Sequence, residues 1–310
     1  MKVIQISILG KISGNVNADE VIGTRATLKK MYTSTGEVLP FVSARAVKYA
    51  IRQALKDHGF EIDPLNEEPK ATNSLRLADS GRPDKYIDND LFGYMLTSKD
   101  DEKGRAYRRH APIAISYFKA LRDTPIKSEF AARFPRSGEK ESNPVPFEVE
   151  VAEFIGRLNI LIYEYIGDFT KSTSRLSDVS DKLDESERKN RLSKFLDVLL
   201  TPSYVLPRRT NSLNIPEYYA SLICFSKKGP LPIYQYLDYI VADNKIVIDS
   251  DLLKSLVARR DIEKRITENE VEFYLIEYNK SLKDRIDHIQ VSDISSIIEK
   301  ACSFLIDSRS

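Results

Sequence analysis

The sequence predicts an α+β fold, and three observations carry that reading. The first residues alternate Ile4, Ile6 and Ile8 with Gln5 and Ser7, an apolar face of period two. An amphipathic helix follows from Ser43 to His58, and a second runs from Leu183 to Leu200. Between them lie two more alternating runs, Phe147/Val149/Val151 and Leu158/Ile160/Ile162. Strands and helices interspersed in this order suit a sheet with helices packed on it. A length of 310 residues allows two domains or one large elaborated one.

Taken in order, residues 2–13 predict a half-buried first strand, and residues 14–40 a long, turn-rich loop. The first helix has Ser43 as its N-cap and Gly59 as its stop. Residues 61–105, rich in Asp, Asn, Pro, Gly and Lys, predict an insertion with small elements of its own. Ala111 to Phe118 fits a strand or a buried turn, and residues 123–146 (Pro125, Pro135, Gly138, Pro144, Pro146) a loop. Strands are expected between Phe147 and Ile166. The second helix presents Leu192, Phe195, Leu196 and Leu199 on one face. A proline-bracketed loop then runs from Pro202 to Pro216 and carries Arg208 and Arg209. Tyr218–Phe225 and Ile233–Val241 predict strands, the latter pairing with Ile246–Ile248 through Ala242-Asp243-Asn244-Lys245. Two or three helices close the chain, the last from about Ser292 to Leu305.

A chain that is 42% hydrophobic and 30% charged is not disordered. Two cysteines and three histidines exclude a disulfide scaffold and a Cys/His zinc centre. No apolar run approaches the ~20 residues of a membrane span, so no membrane role is expected and a cytoplasmic location is. The first nine residues superficially resemble a signal peptide, but their alternation fits a strand and no small-residue cleavage site follows. Gly-rich phosphate loops, nucleophile elbows and redox cysteine pairs are absent, and no cofactor is expected.

The net charge of +1 conceals a segregation. Residues 1–60 hold nine Lys/Arg against four Asp/Glu, and residues 101–140 ten against five, whereas 61–100 and 141–310 are acidic. Local field, rather than net charge, attracts a polyanion. On the first helix Ala44, Val47, Ile51, Ala54 and Leu55 make an apolar face, while Arg45, Lys48, Arg52 and Lys56 make a second, basic stripe. Arg45 stands in the first turn, where free amides and the helix dipole already favour anions. A phosphate held by Ser43, the first-turn amides and Arg45 accounts for this arrangement; a solvated basic face is the alternative.

Two segments, Gly14-Asn15-Val16-Asn17-Ala18-Asp19-Glu20 and Leu39-Pro40-Phe41-Val42-Ser43-Ala44-Arg45-Ala46-Val47-Lys48-Tyr49-Ala50-Ile51-Arg52, resemble the CRISPR-associated backbone subunit of type I Cascade complexes, in its DevR-autoregulator branch. The resemblance is strong over residues 3–58 and looser through Asp88-Asn89-Asp90-Leu91-Phe92-Gly93-Tyr94 and Arg108-Arg109-His110-Ala111-Pro112-Ile113. It implies one elaborated domain with a ferredoxin-like (RNA-recognition-type) palm at 1–60, 106–122, 147–170 and 217–249. To that palm it adds inserted finger elements at 61–105, a thumb loop at 202–216 and C-terminal helices at 250–310. It further implies a non-catalytic subunit of an antiviral ribonucleoprotein. The partners it implies are CRISPR guide RNA, copies of the chain itself, other Cascade subunits, and target DNA through the guide.

Carried over residue by residue, the resemblance assigns guide contacts to Ser43, Arg45, Lys48 and Arg52, with Asn15 and Asn17 in the neighbouring turn. Some relatives carry an arginine in that turn where this chain has Ala18, and Arg25, Lys29 and Lys30 stand as replacements. Arg108 and Arg109 join the RNA-binding set from the second basic segment. Arg208 and Arg209 join it by position and composition in the thumb. Tyr32, Tyr94, Tyr107 and Tyr117 lie in or near the basic segments and are able to stack on unpaired bases. Asp88-Asn89-Asp90 with Gly93 lacks the remaining acidic ligands of a calcium loop and predicts a turn or cap. The rival function is a metal-dependent endoribonuclease of the type III backbone kind, for which Asp19 is the candidate catalytic residue. A DNA-binding regulator would want a helix-turn-helix pair, which the sequence lacks.

Overall fold

Among the described residues, twelve strands assemble one large sheet: β1 (Val3–Gly14), β2 (Val21–Ile22), β3 (Arg25–Ala26), β4 (Lys30–Tyr32), β5 (Val38–Val42), β6 (Ile113–Ile115), β7 (Phe118–Ala120), β8 (Lys127–Arg133), β9 (Val145–Tyr163), β10 (Glu217–Ser226), β11 (Val271–Glu277) and β12 (Ile289–Val291). Along its main path the order is β12-β11-β10-β1-β9-β7-β5-β4. The helices are α1 (Ala44–Asp57), α2 (Ile87–Phe92), α3 (Glu185–Leu200), α4 (Ser250–Val257), α5 (Arg260–Thr267) and α6 (Ile294–Ile306). The computed structural model describes residues 1–14, 21–69, 75–97, 106–133, 145–170, 176–207, 213–280, 282 and 285–307. None of its described helices is long and apolar enough to cross a membrane.

The sequence predicts α+β, and the structure is a mixed α/β architecture around a central sheet, with β1 between antiparallel β9 and β10. The half-buried reading of β1 is corrected: both of its faces are covered. Ile4, Ile6 and Ile8 pack with Val47, Ile51 and Leu55 of α1 and Leu192, Phe195, Leu196 and Leu199 of α3. Leu9 joins a second core with Leu222 and Cys224 of β10, Leu253 and Leu256 of α4, and Ile262 of α5. Gln5 and Ser7 are therefore buried polar residues, and each is satisfied. The Gln5 amide donates to Leu231 O (2.8 Å) and accepts from Leu231 N (2.6 Å), and Ser7 Oγ donates to Asn159 Oδ1 (2.9 Å).

The two alternating runs expected at 147–166 form a single strand of 19 residues. Its C-terminal part pairs with β1, β6 and β7, and its N-terminal part runs on to pair with β8 and, in parallel, with β3. That extension corrects two loop readings. Lys127-Ser128-Glu129 lacks apolar alternation, yet becomes β8 because β9 offers it a free edge. The 14–40 loop supplies β3, which pairs with β9, β2, which pairs with β3, and β4, which pairs with β5, itself beginning within that loop. The C-terminal segment is not wholly helical either: Val271, Phe273 and Leu275 of β11 alternate into the second core beside β10. Ile233–Val241 is a short helical turn at Tyr234–Tyr236 followed by a strand from Tyr239. The expected hairpin to Lys245–Ile248 is present, with positive φ at Asp243 and Asn244 as a type I′ turn requires.

Gly10 and Gly156 face each other across β1 and β9. A Cβ on Gly156 would lie 2.7 Å from Lys119 O, and one on Gly10 2.9 Å from the Tyr218 ring. Because the Gly156 neighbour is backbone, Gly156→Ala is expected to cost about 1–3 kcal/mol as an overpacked site, measured by urea unfolding.

The small elements expected at 61–105 include the hairpin Asn66–Pro69/Leu75–Ala78 and α2; all six residues of α2 are buried, and Ile87, Leu91 and Phe92 join the main core. The Asp88-Asn89-Asp90 run is thus helix, not a turn. Asp88 Oδ1 accepts from Asp63 N (3.0 Å), and Asn89 Nδ2 donates to Asp63 Oδ2 (2.8 Å). Asp90, with no exposed surface, accepts from Arg109 Nη2 (2.6 Å), Arg191 Nη1 (3.0 Å) and Gly167 N (3.1 Å). These bonds tie α2 to α3 and to the turn after β9.

Candidate nucleic-acid interface

The N-terminus of α1 opens onto a groove of about 1080 Å³. Local sequence dictates why the helix begins there. Ser43 holds extended backbone (φ −66°, ψ 150°), and its Oγ accepts from Ala46 N at 3.3 Å. That bond uses the hydroxyl as an acceptor and leaves its proton available to an anion. No acidic residue occupies the first turn, and Arg45 is exposed. The opposite face, Ala46, Val47, Ala50, Ile51, Ala54 and Leu55, is buried.

The structure brings four of the sequence-predicted residues into this groove: Arg25, Lys29, Ser43 and Arg45. Lys30 joins them, so four cations face two carboxylates, Glu148 and Glu150, and the lining is net positive. Arg25 pairs with Glu148 at 2.6 Å. Lys30 lies 3.0 Å from Glu150, whose Oε2 also accepts from Leu28 N (2.9 Å). Glu150 is nearly buried and anchors the β4 edge rather than opposing a ligand directly. Aromatic rings complete the lining: Phe41 and Tyr117 lie 4.9 Å apart at 33°, and Tyr32 is 69% exposed.

The rest of the expected set lies elsewhere. Lys48 and Arg52 do not line the groove; both lean over the Phe92 ring of α2 at 5.4 Å. Arg52 Nε sits 3.2 Å from Asp88 Oδ2, without the alignment of a hydrogen bond. Burial, and then the neighbouring Arg52, push the Lys48 ammonium below the usual lysine range. The basic stripe therefore divides: Arg45 faces the groove, while Lys48 and Arg52 cover α2. Arg108 is exposed on the hairpin Tyr94–Thr97/Ala106–Arg109 and does not line the groove.

Arg109 is a correction. It is 3% exposed, its guanidinium spans Asp90, Asp90 O (3.0 Å), Asp168 O (2.9 Å) and Tyr165 O (2.9 Å), and it lies over the Phe169 ring at 5.0 Å. A guanidinium committed this way is structural and presents nothing to a phosphate. Asn15, Asn17 and Asp19, and Arg208 and Arg209, lie outside the described residues. Glu148 and Glu150 were missed, although their period-two spacing, alternating with buried Val149, already placed them on one face of β9.

Over residues 13–205 the sequence matches the family described as CRISPR-associated negative auto-regulator DevR/Csa2. Comparison with curated proteins gives no match. Among solved structures the fold is similar to a chain of a "CRISPR RNA-guided surveillance complex", with a TM-score of 0.60 at 12% identity over 96% of this chain and 99% of that one. It is also similar to a chain of a "CRISPR RNA-guided surveillance complex, pre-nicking", with a TM-score of 0.57 at 10% identity over 96% of this chain and 100% of that one.

Proposed function

The chain belongs to the CRISPR-associated negative auto-regulator DevR/Csa2 family, and from that premise we propose that it is a non-catalytic, guide-RNA-binding backbone subunit of a type I Cascade surveillance complex. The observation that carries this reading is the groove at the α1 N-terminus: net positive, fronted by Arg45 and the Ser43 hydroxyl, and lined by exposed aromatic rings. Cations and amides of this kind hold phosphates and leave base edges untouched, so guide bases stay available to pair with target DNA. Copies stacked head to tail along one RNA need two different complementary faces, which an asymmetric chain supplies. Other Cascade subunits are the remaining partners.

The palm of this reading is ferredoxin-like. The segments β1, α1, β6/β7, β9, α3 and β10 follow one another as βαββαβ, and their strands stand side by side as β10-β1-β9-β6/β7. That order, fourth-first-third-second and antiparallel throughout, supports the assignment.

RNA binding is expected to be blind to sequence and to weaken with salt, with a logarithmic slope near −0.7 per phosphate contact. A fluorescence-anisotropy titration at several salt concentrations checks this; an isotherm that ignores salt would overturn it. In native mass spectrometry, longer RNAs are expected to recruit more copies of the chain. A single copy at every length would remove the backbone role and leave a simple RNA-binding module. Labelled RNA incubated with Mg²⁺ is expected to remain intact; cleavage would instead support the endoribonuclease.

Arg52→Ala separates the two halves of the basic stripe. It strips Asp88, whose side chain is 5% exposed, of its cation, and is expected to cost about 1–2 kcal/mol of stability with RNA affinity little changed.

A further inference from the structure

Four tyrosines belong to the basic segments, and the fold sorts them. Tyr94 is buried at 5%, and Tyr107 sits half-buried on the hairpin with Arg108. Tyr32 and Tyr117 are 69% and 47% exposed, and both line the groove that holds Arg45 and Ser43. A singly exposed aromatic ring is ordinary on a protein surface. Two on one basic groove, one of them backed by a third ring, are a different arrangement.

Tyr117 is also held rigidly. It directly precedes β7, which pairs with β5 in the register Phe118↔Val42 and Lys119↔Phe41. That ladder fixes Tyr117 beside Phe41, ring centroids 4.9 Å apart, so one face of the pair is supported from behind. Tyr117 also lines a smaller recess of about 280 Å³ that contains Lys119 and Arg157. The residue therefore borders two concavities that carry cations. A preorganised ring costs little entropy to use, and every base has a face that can stack on it.

We infer that Tyr117, backed by Phe41, is a stacking platform for an unpaired base of the bound RNA, with Tyr32 as a second ring on the same groove. This inference rests on the RNA-binding reading above. It assigns the groove two separable duties: Arg45 and its neighbouring cations hold the phosphates, and Tyr117 holds a base by its face. Sequence-blind binding survives this, because stacking does not read base edges.

The chain contains no tryptophan, so Tyr117→Trp introduces its only indole and keeps an aromatic ring at the site. Single-stranded oligoadenylate is expected to quench that fluorescence, while an abasic RNA of the same length is not. Tyr117→Leu keeps apolar packing against Phe41 without a ring face. It is expected to lower oligoadenylate affinity about tenfold, with an unchanged salt slope because the phosphate contacts remain. Equal quenching by abasic RNA, or unaltered affinity in Tyr117→Leu, would overturn the platform while leaving RNA binding in place. Failure of the unaltered chain to bind either RNA would remove the RNA-binding reading, and this inference with it.

Discussion

Asp90→Ala is expected to destabilise the fold by about 3–5 kcal/mol, the usual cost of removing one partner from a buried ion cluster. Asp90 is fully buried and pairs with the guanidinium of Arg109 at 2.6 Å and with that of Arg191 at 3.0 Å, while Arg191 also reaches Glu187 at 2.9 Å. Its loss takes a buried carboxylate from both guanidinium groups and the acceptor from Gly167 N. Because a domain's whole stability is about 5–15 kcal/mol, the variant should unfold at markedly lower urea. Asp90→Asn keeps the shape and one acceptor but not the charge, and is expected to fall between the two. Arg109→Met is expected to lower stability rather than RNA affinity. If Arg109→Met kept its melting midpoint and lost RNA binding, the assignment of Arg109 to the core would be wrong.

Replacing Arg25, Lys29 and Arg45 together by Ala is expected to lower RNA affinity by at least about a hundredfold, since each charge-assisted contact contributes about 1–2 kcal/mol after screening. The salt slope should flatten by about 2, from three contacts near 0.7 each. Removing Arg25 has an added effect, because it leaves Glu148 in the groove without its 2.6 Å cation and facing the incoming phosphates. The fold is expected to survive: Arg25 and Arg45 are exposed, Lys29 is half-buried, and Ala suits the first turn of α1. The matched charge control is Lys56→Ala, Lys182→Ala and Lys245→Ala together, all exposed and outside the groove. Equal loss of affinity in control and test variants would reduce the effect to overall charge. Loss of cooperative unfolding in the triple variant would show that these side chains hold the fold.

Periodicity and capping are local properties, and they were legible. The alternation of Ile4, Ile6 and Ile8 located β1, and the stripe of Val47, Ile51 and Leu55 behind Ser43 located α1 within a residue. Leu192, Phe195, Leu196 and Leu199 likewise located α3, although its cap is Asp184 and its start Glu185. The charge excess over residues 1–60 pointed to the region that supplies Arg25, Lys29, Ser43 and Arg45.

What the sequence left undecided depends on pairing between distant segments. β1 was read as half-buried because its polar residues alternate; only strands on both sides and a second core against Leu9 make Gln5 and Ser7 interior. β8 exists because β9 runs on past the core and presents an edge, which no property of Lys127–Arg133 announces. Lys48 and Arg52 read as phosphate contacts until α2, some 40 residues on, put Phe92 and Asp88 beneath them. Arg108 and Arg109 are adjacent and identical in kind, yet one is exposed and the other is locked to Asp90. Along a strand successive side chains point to opposite faces, so which arginine meets solvent is set by the register of the hairpin and by what packs beneath it.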